Sequence, residues 1–269
     1  MVLKKLMKYF HPHYLLYVFF ALIFFVVAVS LYKTFFKKDK YIYAKVKVGQ
    51  GLWWVSTPKP PIWFVKALKK GDVERDLVGK PVAQLLSVRY YPWISNTSQY
   101  DIYLTLKLKV SENKKTGQYS FNRSTIGIGS PIDLEFPNSQ LSGTITQLQK
   151  DPFQIRPVFK TVTLEKKWAF PWEYEAIQAG DSYFDGEDKV FEIVDKKQEN
   201  VYDVYSSIGN NYPIESDLRK HITLRAKIQL SQADNQLIFG EEQIIKPGKP
   251  ITIATSNFIF QDYLIEAIE

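Results

Sequence analysis

Three rhythms of apolar and polar positions run along the chain. From Tyr14 to Tyr32 the run "YLLYVFFALIFFVVAVSLY" holds no charged residue, and at 1.5 Å per residue it nearly spans a hydrocarbon core of ~30 Å. Strict alternation follows twice, at Ile102, Leu104, Leu106, Leu108 and Val110, and again at Ile222, Leu224, Ala226, Ile228 and Leu230. A period of two gives a strand with one buried and one wet face. The third rhythm is short and punctuated. Pro61 and Pro171 stand where a helix can start, because proline has no amide hydrogen to lose there. Gly71 and Gly180 stand where those helices should stop, with Lys69 and Lys70 near the C-terminal end of the first. "SENKKTG" and "SQADN" read as polar hairpin tips, and Pro131 and Pro250 each open a further alternating strand where no ladder donor is needed.

These signals occur in the same order twice. Trp63, Ala67, Leu68, Gly71, Asp72 and Asp76 fall opposite Trp172, Ala176, Ile177, Gly180, Asp181 and Asp185. "VAQLL" from Val82 faces "VFEIV" from Val190, Tyr91-Pro92 faces Tyr212-Pro213, and "IYLTLKLKV" faces "ITLRAKIQL". Gly129, Pro131, Ile132, Leu134 and Asn138 then match Gly248, Pro250, Ile251, Ile253 and Asn257. Ordered blocks with slowly drifting spacing indicate two copies of one domain. The expected layout is a tail at 1–13, a transmembrane helix at 14–36, one β-rich repeat at 41–149, a linker at 150–159 and a second repeat at 160–269. Two prolines make "DPFQIRP" in that linker a stiff connector. The fold class expected is mainly β: two tandem, similar barrel- or sandwich-like domains, each with a short helix, behind one N-terminal transmembrane helix.

The flanks of the apolar run bear on its role. Lys4, Lys5 and Lys8 precede it, Lys33, Lys37, Lys38 and Lys40 follow it, and Tyr14, Tyr17 and Tyr32 suit the interface. Ala28-Val29-Ser30 resembles a signal-peptidase site, which is the competing reading. The run is long for a signal peptide, and bulky Leu31, Tyr32, Phe35 and Phe36 follow at once, which favours a retained anchor. A short tail before a first apolar segment stays inside. The expectation is a single-pass protein of the cytoplasmic membrane, N-terminus inside and large domain extracytoplasmic.

Hydrophobic residues make up 45% of the 269, enough for real cores, and the absence of cysteine excludes disulfides and thiolate metal sites. The net charge of +7 points toward nucleic acid only until it is divided along the chain. Residues 41–150 carry 15 Lys and Arg against 7 Asp and Glu, and residues 151–269 carry 13 against 20. A basic half followed by an acidic half is not a nucleic-acid footprint.

The sequence "ALKKGDVERD", then "GKPVAQLLSV", the long alternating strand, "IGIGSPIDLEF" and "LSGTITQL" resemble domain-of-unknown-function family 4330 along most of residues 41–149. The second copy fits more loosely, with "KPGKPI" for "IGIGSPI". The resemblance implies a bacterial protein with one N-terminal membrane anchor and a β-rich domain. It supplies no catalytic residues.

Candidate chemistry is sparse. His11, His13 and His221 are the only histidines, too few and too scattered for a metal site or a Ser-His-Asp arrangement. "KVGQGLWW" follows a strand without opening a helix, unlike a phosphate loop. Asp72 and Asp181 could suggest paired carboxylates, but a Gly-Asp turn explains both. No catalytic, cofactor-binding or metal residues are assigned, and no cofactor is expected. The leading expectation is a membrane-anchored, non-enzymatic interaction or scaffold protein of the bacterial envelope, whose partners are other envelope proteins or further copies of itself. The alternatives are an adaptor-like component of an export system, or an envelope enzyme acting on glycans. Trp63 and Trp172 are expected to anchor each short helix to its sheet. Adjacent Trp53 and Trp54 must point to opposite faces of a strand, so the outward one either forms a partner-binding surface with Lys59 and Lys66 or is buried against the sister domain.

Overall fold

The computed structural model describes residues 12–35, 39–49, 59–93, 96–154, 156–207 and 210–269. Strands dominate the described residues, so the protein is mainly β. Residues 1–40 form one compact unit and residues 41–269 another. The first contains α1 (Pro12–Phe35), an unbroken helix of 24 residues whose side chains from Leu16 to Val29 include many large exposed apolar groups. Side chains of α1 are described from Leu16 to Ser30, a rise of about 22 Å. Over the described residues no helix is long and apolar enough to cross a membrane.

The second unit holds two curled antiparallel sheets. The first lobe comprises β1 (Lys40–Val48), α2 (Ile62–Ala67), β2 (Val73–Arg75), β3 (Pro81–Trp93), β4 (Asn96–Glu112), β5 (Tyr119–Phe121), β6 (Ser124–Ile126), β7 (Pro131–Phe136) and β8 (Ser139–Gln149). The other lobe comprises β9 (Val158–Ala169), α3 (Pro171–Ala176), β10 (Ser182–Phe184), β11 (Lys189–Ser207), β12 (Asn210–Ala233), β13 (Gln236–Phe239), β14 (Gln243–Ile245), β15 (Pro250–Ala254) and β16 (Ile259–Ile268). The sheet orders are β2-β3-β4-β1-β8-β7 and β10-β11-β12-β9-β16-β15, with β5/β6 and β13/β14 as side ribbons on β4 and β12. One connectivity is therefore drawn twice, and β9 already begins inside the stretch expected as linker.

Alternation sets the cores. Ile102, Leu104, Leu106, Leu108 and Val110 of β4 are buried with Ile42, Ala44 and Val46 of β1, and Ile222, Leu224, Ala226, Ile228 and Leu230 of β12 are buried with Val162 and Leu164 of β9. The hinge beside each short helix is also drawn twice. Gly71 (φ +95°) donates its N–H to Leu85 at 2.8 Å, and Gly180 (φ +93°) donates to Ile193 at 2.8 Å. Asp72 and Asp181 accept the N–H of Leu85 and Ile193 in turn, each at 2.8 Å through the backbone carbonyl. Only glycine adopts that φ without strain.

Two expectations are corrected here. The helices end at Ala67 and Ala176, capped by Leu68 and Ile177 in extended conformation. Gly71 and Gly180 therefore shape the turn leading to the next strand and do not terminate the helix. Tyr91-Pro92 lies on β3, whereas Tyr212-Pro213 lies on β12, the counterpart of β4. That matched pair of dipeptides is a coincidence of sequence, because β11 and β12 run further than β3 and β4.

Candidate functional site at the joint between the lobes

The end of β3 docks on the turn between β10 and β11. That turn is built by Asp185, whose Oδ1 accepts the N–H groups of Glu187 (3.0 Å) and Asp188 (2.9 Å). Short side chains that bond their own backbone favour such turns. Gly186 (φ +106°) then lets the turn meet the first lobe closely, since a Cβ there would lie 2.5 Å from the Val88 carbonyl oxygen. The Tyr90 N–H donates to the Asp185 carbonyl at 2.8 Å, and the Tyr183 hydroxyl donates to the Tyr90 carbonyl at 2.7 Å.

Arg89 supplies the charge at this contact. Its Nη1 bonds the Asp185 carboxylate, which has no solvent exposure, and its Nη2 lies 2.7 Å from Asp188. The Tyr91 hydroxyl donates to Asp185 at 2.9 Å, and its ring packs on Phe239 and against the second lobe's core. Burial works against the Arg89 charge, yet the Asp188 hydrogen bond and the Asp185 charge outweigh it and hold its pKa above the ordinary value. The Arg89 hydrogen bond lowers the pKa of Asp188 in return. Burial first, then the Asp185 charge, raises that of Tyr91.

Further ion pairs flank this centre. Lys45 reaches Glu241 at 2.7 Å, Lys47 reaches Glu242 at 2.7 Å and Lys70 reaches Glu187 at 2.9 Å. Every cation comes from the basic half of the sequence and every anion from the acidic half. The uneven charge along the chain is thus matched across the joint.

Beside the joint opens a cleft of about 860 Å³, lined by Tyr90 and Tyr100 from one lobe and by Phe170, Trp172, Tyr183 and Phe258 from the other. Phe170 and Trp172 stack with centroids 6.4 Å apart, and the Arg219 guanidinium lies 3.6 Å over Phe170. Glu173 at the base of the cleft is buried but satisfied. It accepts from Lys166 Nζ (2.7 Å) and from the Phe170 N–H (3.0 Å), so it caps its own helix. A second cavity of about 490 Å³ is lined by Lys59, Trp93, Tyr103 and Glu242 among others.

Trp53 and Trp54 lie outside the described residues. Lys59 bonds Asp101 and sits 5.7 Å over the Trp93 ring in the second cavity, while Lys66 is exposed on α2, so the two lysines are placed differently. Trp63 and Trp172 do not anchor their helices: they are 68% and 58% exposed. A six-residue helix has few inward positions, and Val65 on α2 and Glu173 on α3 occupy them. Asp72 and Asp181 accept the N–H groups of Lys69 (3.0 Å) and Gln178 (2.9 Å), as the turn reading expects. His221 lies within β12, 3.3 Å from Glu165. Sequence reasoning missed Arg89 and Asp188 and named Asp185 only as the counterpart of Asp76, although the division of charge between the halves was a signal that could have led to them.

No protein-family model matches the chain, and no curated protein or solved structure matches it either.

Proposed function

We propose that the chain is a membrane-anchored, non-enzymatic interaction or scaffold protein of a bacterial cell envelope, presenting a stiff two-lobed body to its partners. One observation carries this reading: the ionisable groups that converge from the two lobes meet as ion pairs. Arg89 with Asp185 and Asp188, Lys45 with Glu241, Lys47 with Glu242 and Lys70 with Glu187 join the lobes. An enzyme acting through carboxylates alone would bring two of them to face a substrate; here the acids that meet across the lobes face cations. The exposed rings of Phe170, Trp172 and Phe184 beside the cleft supply contact area of the kind that anchors interfaces.

The anchor is supported by the uncharged run Tyr14–Tyr32 within the unbroken helix Pro12–Phe35, and by lysines on both flanks. The likeness to domain-of-unknown-function family 4330 rests on the quoted motifs and agrees with that topology. Recovery from gently solubilised membranes, read by mass spectrometry, tests the function. A defined set of proteins should copurify with the wild type and be depleted with Trp172→Ala. Protease added to intact spheroplasts tests the topology: it should degrade the domain, and protection until lysis would reverse the orientation.

A further inference from the structure

The joint between the lobes is heterologous: the first lobe offers the end of β3, and the other offers the β10–β11 turn with the β13–β14 turn beside it. Because the connectivity is drawn twice, each lobe also carries the counterpart of the surface it does not use. The ladders fix the equivalences. Leu85 pairs with Leu106 just before a bulge, and Ile193 pairs with Ala226 just before the same bulge. Beyond it Arg89 pairs with Tyr103 and Lys197 with Thr223, so Lys197 stands where Arg89 stands, and Glu199 where Tyr91 stands.

On the acceptor side, Asp76 Oδ1 takes the N–H groups of Val78 (2.9 Å) and Lys80 (2.8 Å), whereas Asp185 takes those of Glu187 and Asp188 in a turn one residue shorter. Asn122 and Arg123 (φ 45° and 69°) likewise repeat Gly240 and Glu241 (φ 62° and 72°). The unused donor surface is therefore Lys197 with Glu199 on the second lobe, an exposed pair that meets at 2.6 Å within one chain and is exchanged for the new partners on docking. The unused acceptor surface is the Asp76–Gly79 turn with Arg123 on the first. All of these residues are exposed, and Leu77 and Val78 at the tip of that turn are 108% and 81% exposed.

The two surfaces fit each other by chemistry as well as by position. Arg89 on Asp185 becomes Lys197 on Asp76. Tyr91 against the Gly240-Glu241 turn becomes Glu199 against Asn122-Arg123, a new pair of opposite charges. Lys70 facing Glu187 becomes Ala179 facing Val78, an apolar pair in place of an ionic one. We propose that copies of this chain associate head to tail, the second lobe of one docking on the first lobe of the next through the surfaces equivalent in topology to those that join the lobes within one chain. This names one partner of the interaction protein proposed above, and it rests on the repeated topology and not on the anchor.

The second contact is not a replica of the first. Leu77 follows Asp76 where Gly186 follows Asp185, so the close backbone approach at Gly186 is not repeated. The contact between copies rests on the apolar tip and two charge pairs, and it is weaker and more sensitive to salt than the joint within the chain. β11 and β12 also continue beyond Glu199 and Lys220 as a ribbon to Ser207 and Asn210, pairing there only with each other among the described residues. A heterologous contact of this kind closes into a ring or continues as a filament.

The chain contains no cysteine, so single cysteines report on the contact cleanly. Full-length V78C and A179C proteins, which keep both charge pairs, are purified separately, mixed in lipid nanodiscs or detergent, and oxidised. The mixture should form a disulfide-linked pair about tenfold faster than V78C mixed with K115C, whose cysteine sits on a distant hairpin tip. D76K alone and K197D alone should each lose oligomers in analytical ultracentrifugation, and mixing the two should restore dimers. The proposal is overturned if the V78C and A179C mixture links no faster than the control, or if V78C links to itself instead. Cross-linking is read without any other partner. A failed pull-down with intact cross-linking would therefore count against the wider interaction reading alone.

Discussion

Arg89 on β3 closes on Asp185 in the β10–β11 turn, and the carboxylate it neutralises has no exposure to solvent. A buried anion is costly unless it is paired and hydrogen-bonded, and here Tyr91 and Arg89 do both. Arg89→Ala leaves that charge without its cation. The expected loss is about 3–5 kcal/mol in denaturant unfolding, the range for breaking a buried pair from one side. The double variant Arg89→Met with Asp185→Asn should recover part of it, because the buried charge is gone while the asparagine amide oxygen still accepts the N–H groups of Glu187 and Asp188. A single-variant loss below about 1 kcal/mol, the range of exposed pairs, would show that water reaches Asp185.

The flanking pairs should behave differently. Lys47 is 28% and Glu242 54% exposed in their side chains, and exposed pairs contribute about 0.2–1 kcal/mol. Lys47→Ala should therefore lie within that range and lose its effect in high salt. A loss comparable to that of Arg89→Ala would mean that the rim and the centre of the joint act as one network.

Acid should loosen the joint through Asp188, whose pKa is lowered chiefly by its Arg89 hydrogen bond. For a depressed carboxylate the stabilisation is fully present above the unfolded-state pKa of about 3.9 and is lost as pH falls through the lower folded value. Wild-type stability should thus drop below about pH 4 more steeply than that of Asp188→Asn, in melts on a pH series. Parallel curves would remove Asp188 from the joint's energetics.

The alternating strands were legible because period-two burial leaves a direct trace: Ile102 to Val110 and Ile222 to Leu230 are the central core strands, as their spacing requires. Gly71 and Gly180 were legible as a matched pair, but their role was misread, since a glycine after a helix looks the same whether it caps the helix or shapes the next turn. Trp63 and Trp172 were misplaced for a related reason. Residue type gives the size of a ring, and only the helix phase decides where it points. Asp185 was legible as the repeat counterpart of Asp76, but nothing local pointed from it to Arg89. They lie 96 positions apart and meet only because the two lobes dock, and the trace of that meeting in the sequence was opposite charge in opposite halves.

Trp172 separates recognition from stability. Its ring is 58% exposed and stacked on Phe170, so Trp172→Ala removes little buried area. Unfolding should shift by less than about 1 kcal/mol, below the cost of emptying a core position. Copurification of partners should fall severalfold. Unchanged recovery would move the partner surface away from this cleft.

Gly186→Ala tests the closest approach between the lobes, with Gly180→Ala as its control. Both glycines have positive φ, +106° and +93°, so alanine strains the backbone at either position. Around Gly180 the space for a Cβ is open, and strain alone should cost about 1 kcal/mol or slightly more. At Gly186 the new Cβ would also meet the Val88 carbonyl oxygen at 2.5 Å and the Tyr90 ring at 2.8 Å. A backbone oxygen cannot swing aside as a flexible side chain can, so the turn must withdraw and take the Asp185 carboxylate away from Arg89. The expected cost is about 2–4 kcal/mol, overpacking added to strain. It should be accompanied by faster proteolysis within 150–157, where the chain passes from one lobe to the other. Equal costs at Gly180 and Gly186, with unchanged proteolysis, would show that the turn has room to spare and that the lobes are held by Arg89 and its partners alone.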